Sequence, residues 1–281
     1  MYKLLIIALS SFALIATSCH RRNHKQINWT EDYTEENTKT IIGKPDTNKE
    51  NIDSFDNKLL YTTINEDIPN QLLFRYSYIS SYNFKTRCPN WVAWHLTSNH
   101  ADGDCPRYSK YDEDMEVPAP RATNEDYRGS GWTRGHMCPA GDNKWDAEAM
   151  RESNLLSNMC PQHASLNSGL WNVIERDCRK WAQKYGDVYI VCGPLFYNKE
   201  HETIGANKVV VPEAFFKVIL CLNGKPKAIG FVVKNNEGAK KKDQYVNTVD
   251  QVERITGMDF FPALPDSIED IVEATANINE W

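Results

Sequence analysis

The stretch Gly129–Asn143 concentrates residues that could do chemistry. Arg134 and His136 stand beside Gly129, Gly131 and Gly135, and Pro139 and Gly141 follow closely. Glycine lets a backbone approach a ligand or take positive φ. An arginine fork suits phosphate or carboxylate, and a histidine can take a proton near neutral pH. The plain alternative for this stretch is a structural glycine turn.

A second candidate set lies downstream. Ser168 to Tyr185 has the periodicity of a helix, with Trp171, Ile174, Cys178, Trp181 and Tyr185 on one stripe and Gly186 as its stop. Glu175 flanks that stripe, and a carboxylate at the edge of a core needs a partner. Asn167 precedes the helix, about 12 Å down its axis from Glu175 at the usual rise. The structural readings are an N-cap for Asn167 and a salt bridge for Glu175.

The elements that must position these residues read as follows. Leu72 to Ile79 and Trp91 to Leu96 are strand-like, being aromatic and β-branched. Asn99 to Asp126 is a long turn-rich, acidic segment carrying Arg107 and Arg121. Asp146 to Glu152 predicts a short helix, and Leu155 to Gln162 begins as a strand and meets Pro161. Asp187 to Cys192, Lys208 to Leu222 and Lys227 to Lys234 predict further strands, and Thr248 to Thr256 and Ser267 to Asn277 predict closing helices. Strands and helices do not alternate regularly, so the class is α+β with a largely antiparallel sheet.

Three ordered blocks carry a family resemblance. Thr133-Arg134-Gly135-His136-Met137-Cys138-Pro139-Ala140-Gly141-Asp142, then Ser157-Asn158-Met159-Cys160-Pro161-Gln162, then Leu166 through Glu175 resemble the DNA/RNA non-specific endonucleases. That family includes secreted bacterial nucleases and mitochondrial endonuclease G. The resemblance covers about Tyr76 to the C-terminus. It implies the ββα-metal (His-Me finger) fold, with helices flanking the antiparallel sheet, and cleavage of DNA and RNA that leaves 5′-phosphate ends. By position, it implies His136 as general base, Asn167 as the direct Mg²⁺ ligand (Mn²⁺ as a substitute) and Glu175 as holder of the metal's waters. It implies Arg134 as a phosphate binder and Arg107 as a second clamp, with Arg121 as competitor. Asn158 and Gln162 match polar positions that shape the substrate site. The family usually has Asp where Thr133 stands, which bears on local bracing or rate.

The whole chain sets limits on these readings. It has 281 residues, 41% hydrophobic and 11% aromatic, enough for a substantial core. Its net charge of −6 argues against gripping nucleic acid by global charge, so any such role rests on a local site. Lys3 and the apolar run Leu4 to Ile15 read as an export signal, too short for a comfortable membrane span. Ala16-Thr17-Ser18 before Cys19 resembles a lipoprotein signal, with Ala16 where Leu is usual. The expected organisation is a signal over 1–18, a lipidated Cys19, a polar tether over 19–58 and a nuclease domain over 59–281. The expected location is outside the cytosol, membrane-anchored through lipid or else secreted; DNA and RNA are the expected substrates, and no protein partner is inferred.

Of the cysteines other than Cys19, Cys88 and Cys105 bracket a loop and suggest a disulfide, whereas Cys192 and Cys221 read as buried. Two other functions compete with the nuclease reading. His136, Cys138, Cys160 and His163 could supply a structural zinc site. A catalytically inactive nucleic-acid-binding lipoprotein on the same scaffold would also fit the acidic charge and Thr133.

Overall fold

Nine strands and four helices carry the architecture, and the computed structural model describes residues 55–236 and 241–281. The predicted signal, Cys19 and most of the tether lie outside the described residues. All described residues belong to one compact unit, Asn51–Trp281. In chain order the strands are β1 (Gln71–Phe74), β2 (Ile79–Asn83), β3 (Cys88–Thr97), β4 (Thr133–His136), β5 (Met159–Gln162), β6 (Asp187–Leu195), β7 (Ala214–Cys221), β8 (Lys227–Lys234) and β9 (Val246–Asn247). The helices are α1 (Ala147–Ser153), α2 (Asn172–Tyr185), α3 (Val249–Thr256) and α4 (Asp266–Ala274).

Seven strands form the central sheet in the order β9-β8-β7-β6-β3-β2-β1, and every neighbouring pair is antiparallel. β6 and β7 are buried along almost their whole length. Both faces of the sheet are therefore covered, which explains near-continuous apolar runs instead of alternation. Side chains of β7 divide between the two faces with period two. Phe215 and Ile219 join the core beneath α2, with Trp171, Ile174, Cys178 and Trp181. Phe216, Val218 and Leu220 join the core beneath α3 and α4, with Val249, Val252 and Val272.

Several expectations are corrected by the fold. The expected strand Leu72–Ile79 is a hairpin, because Arg75 N donates to Tyr78 O and turns the chain. The long helix starts at Asn172, not Ser168; a π-turn, Asn167–Trp171, precedes it. Pro161 lies inside β5 rather than ending it. The expected Cys88–Cys105 disulfide is absent: all seven described cysteines are free thiols. Cys88 Sγ sits 3.5 Å from Val210 O on the buried side of β3, while Cys105 lies in the loop beside Pro106.

Candidate active site

β4 and β5 form a separate ribbon, with Thr133 opposite Gln162 and His136 opposite Met159. Gly135 allows its close approach, since a Cβ there would lie 2.4 Å from Gln162 Oε1. Trp171 Nε1 donates to His136 O at 3.4 Å and ties the ribbon to the start of α2. Ribbon, π-turn and α2 together wall a cleft of about 480 Å³ that includes Arg107, Thr133, His136, Asn167, Glu175 and Arg179.

His136 is buried at the back of this cleft. Its Nε2 lies 2.8 Å from Asn154 Oδ1. Asn154 Nδ2 donates to Tyr108 O and Lys110 O at 2.8 and 2.9 Å. With both amide protons committed, Asn154 presents its oxygen to the ring, so Nε2 carries the hydrogen and Nδ1 keeps a free lone pair. Burial pushes the His136 pKa down to about 4, with Arg107 adding to the drop and the Asn154 bond opposing it. The ring is therefore a neutral base at physiological pH.

Asn167 is not an N-cap; it closes the short turn Ala164–Leu166 as its C-cap. Its backbone is helical, and its Nδ2 donates to Thr133 Oγ1 at 3.0 Å and Arg134 O at 3.3 Å. That leaves Oδ1 as the acceptor on a residue lining the cleft. Thr133 Oγ1 in turn donates to Gln162 O at 2.7 Å. The hydroxyl at the departure from the family pattern thus braces Asn167 against the ribbon.

Among the described residues Glu175 has no salt-bridge partner. Burial pushes its carboxyl up to about 7; Lys217 opposes this most, followed by Arg179 and Arg107, while Asp142 adds to it. Lys217 is wholly buried in β7, with its ammonium over the rings of Trp94 and Trp171 at 4.9 and 4.6 Å. Burial works against that charge, but Cys192, Cys178, Glu175 and Asp142 outweigh it and raise its pKa. Arg179 Nη1 donates to buried Asp142 at 2.7 Å, and Trp94 Nε1 donates to the same carboxylate at 3.0 Å.

The remaining predicted residues are placed differently. Arg107 is exposed at the cleft and acts on both His136 and Glu175. Arg121 donates to Asp114 O and Val117 O and does not line the cleft, so the geometry separates it from Arg107. Arg134 lies over the rings of Tyr111 and Tyr127, 5.0 Å from each centroid, and donates to Asn124 O. It is not on the cleft wall, and the Tyr111 ring it contacts lies 5.9 Å from the His136 ring. Asn158 and Gln162 are fully buried. Asn158 holds the turn after His136 through Cys138 N, Cys138 O and Ser153 O. Neither side chain meets the cleft, so both shape it from behind.

The zinc grouping is not formed. Asn143 Nδ2 donates to Cys138 Sγ, and His163 Nδ1 accepts from Ser165 N. Among the described residues no His/Cys cluster has metal-binding spacing. Sequence reasoning missed Asn154, Asp142, Arg179 and Lys217. A lysine in the middle of an apolar strand was the one legible signal for any of them.

A model of the DNA/RNA non-specific endonucleases matches residues 56–267, and the chain belongs to that family. It is 41% identical over 201 residues to the mitochondrial nuclease EXOG of Xenopus laevis, covering 66% of this chain and 56% of the relative. It is 35% identical over 207 residues to mitochondrial endonuclease G of Homo sapiens, covering 68% of this chain and 70% of that one. Nuclease C1 of Cunninghamella echinulata is 37% identical over 222 residues, covering 72% and 88%. The chain thus spans little more than half the length of the EXOG relatives. Among solved structures, the EndoG/EndoGI complex matches with a TM-score of 0.67 and 30% identity over 71% of this chain and 89% of that one. The expected His-Me finger fold, an α+β arrangement with an antiparallel sheet, is the one present.

Proposed function

We propose that this chain hydrolyses internal phosphodiester bonds of DNA and RNA, with His136 as general base. The carrying observation is a buried His136, hydrogen-bonded to Asn154, on one cleft with Asn167 and Glu175. His136 Nδ1 takes a proton from the water that attacks phosphorus in line. Arg107 reaches the same cleft and clamps the phosphate. Arg134, held between two tyrosines, positions the wall behind the base.

The donor set fits magnesium. Asn167 Oδ1 would hold the ion directly, and Glu175 would orient its waters, because Mg²⁺ retains most of its hydration. Bound there, Mg²⁺ offsets charge on the scissile phosphate and leaving oxygen. Mn²⁺ has the same oxygen preference.

Plasmid DNA and total RNA, incubated with wild type and His136→Ala in Mg²⁺, test the reading. Wild type should nick both substrates, and the variant should be slower by about 10²–10⁴-fold. Equal cleavage by both proteins would remove His136 from the chemistry, and an inert wild type would remove the activity. The N-terminal pattern of Lys3, Leu4 to Ile15 and Cys19 supports an exported, lipid-anchored location, although several relatives are named mitochondrial. Cys19→Ala should move the protein from the membrane to the soluble fraction of a bacterial host; unchanged membrane association would refute the lipid.

A further inference from the structure

The sheet face opposite the active site carries a different group of carboxylates. Glu273 on α4 is only 6% exposed, and its Oε1 is buried with no hydrogen-bond partner. A buried carboxylate oxygen without a donor is costly and calls for a cation or a proton. Two more carboxylates converge on it from α3, Asp250 and Glu253. One oxygen from each of the three lies within 4.8 Å of the others. Calcium binds oxygen at about 2.4 Å, so oxygens up to about 4.8 Å apart can share one ion.

We propose that Asp250, Glu253 and Glu273 form a second divalent-cation site, of the all-oxygen calcium type, that ties α3 to α4. Among the described groups that act most strongly on these carboxylates, anions predominate. Asp259 precedes Phe260, whose N–H donates to Glu253 Oε1 at 2.9 Å and fixes that carboxylate. α4 adds Glu269, Asp266 and Asp270, and only Arg254 of α3 is positive. Burial, then this mutual repulsion, pushes Glu253 up to about 7 and Glu273 up to about 9. Asp250 and Glu253 remain half-buried, which leaves a path for the ion and room for its remaining water ligands. Magnesium fits less well, because its shorter bonds and strict octahedron tolerate three crowded carboxylates poorly. This site stands independently of the nuclease reading.

The test is thermal unfolding of the full chain after chelator treatment, with and without about 5 mM CaCl₂. Asn167→Ala serves as a second parent, so that the catalytic cleft contributes no direct cation ligand. Both parents should gain roughly 3–6 °C with calcium, and less with equal MgCl₂. Glu273→Gln should unfold no earlier than its parent in chelator and should lose the calcium response. Glu253→Gln should weaken that response, which provides a second reading if Glu273→Gln folds poorly. No shift in either parent, or an undiminished shift in both glutamine variants, would overturn the site and leave Glu273 as a protonated core residue.

Discussion

Glu175 and Glu273 lie on opposite faces of the same sheet, and their surroundings treat them differently. Around Glu175 the fold has gathered Lys217, Arg179 and Arg107. Around Glu273 it has gathered Glu253, Glu269, Asp259 and Asp250. Burial raises both carboxyls, but cations hold Glu175 to about 7 while anions drive Glu273 to about 9. The first is kept partly charged by the protein itself and can orient solvent in a cleft. The second keeps its proton near neutral pH unless a cation takes the proton's place. One residue type thus acquires two roles through its neighbours alone.

Substitutions on the two faces should separate these roles. The largest effect is expected from Lys217→Met, which strips the buried cation from Glu175 and Asp142. It should cost about 3–5 kcal/mol in urea unfolding, and adding Glu175→Gln should recover part of that loss. If the double variant is no more stable than the single one, Lys217 does not serve those carboxylates. Next, Glu175→Gln should slow Mg²⁺-dependent cleavage by about 10²-fold, whereas Glu273→Gln should leave the rate unchanged. Equal losses from both variants would erase the distinction between the faces.

A smaller effect is expected at the ribbon. Thr133→Val removes the acceptor for Asn167 Nδ2 and should weaken activation by Mg²⁺ about 10-fold. Thr133→Ser should behave as wild type, and a valine variant with unaltered Mg²⁺ dependence would show that the hydroxyl does not position Asn167. The smallest effect concerns pH. The folded His136 pKa lies below that of the unfolded chain, so unfolded molecules bind the proton first as pH falls. The stability tied to His136 is complete above about pH 6.5 and is lost progressively toward pH 4. Wild type should lose about 1 kcal/mol between pH 7 and pH 5.5 from this group. His136→Ala should lack that component, and parallel pH profiles for the two would contradict the buried, neutral ring.

Two helix starts were legible locally, at Asp146 and at Thr248. Thr248 followed by Gln251 forms a capping box, and Asp146 accepts from Glu148 N and Ala149 N at the head of α1. The apolar stripe of α2 reads directly from its spacing, and His136, Asn167 and Glu175, singled out through the ordered blocks, line one cleft. Those features depend on residues near one another in sequence. What the sequence left open depends on contacts across long separations. Arg107 and Arg121 are alike in type and setting, and only the path of the loop puts one in the cleft and the other on Asp114 and Val117 carbonyls. The π-turn at Asn167–Trp171 has its non-helical backbone at Gly169, and the amide of Asn167 is held by Thr133, far away in the chain. Lys217 beneath Glu175, and Glu273 facing α3, acquire their meaning only when strands and helices pack. Periodicity records which side of an element is apolar; the charge that meets a buried carboxylate is set by tertiary packing.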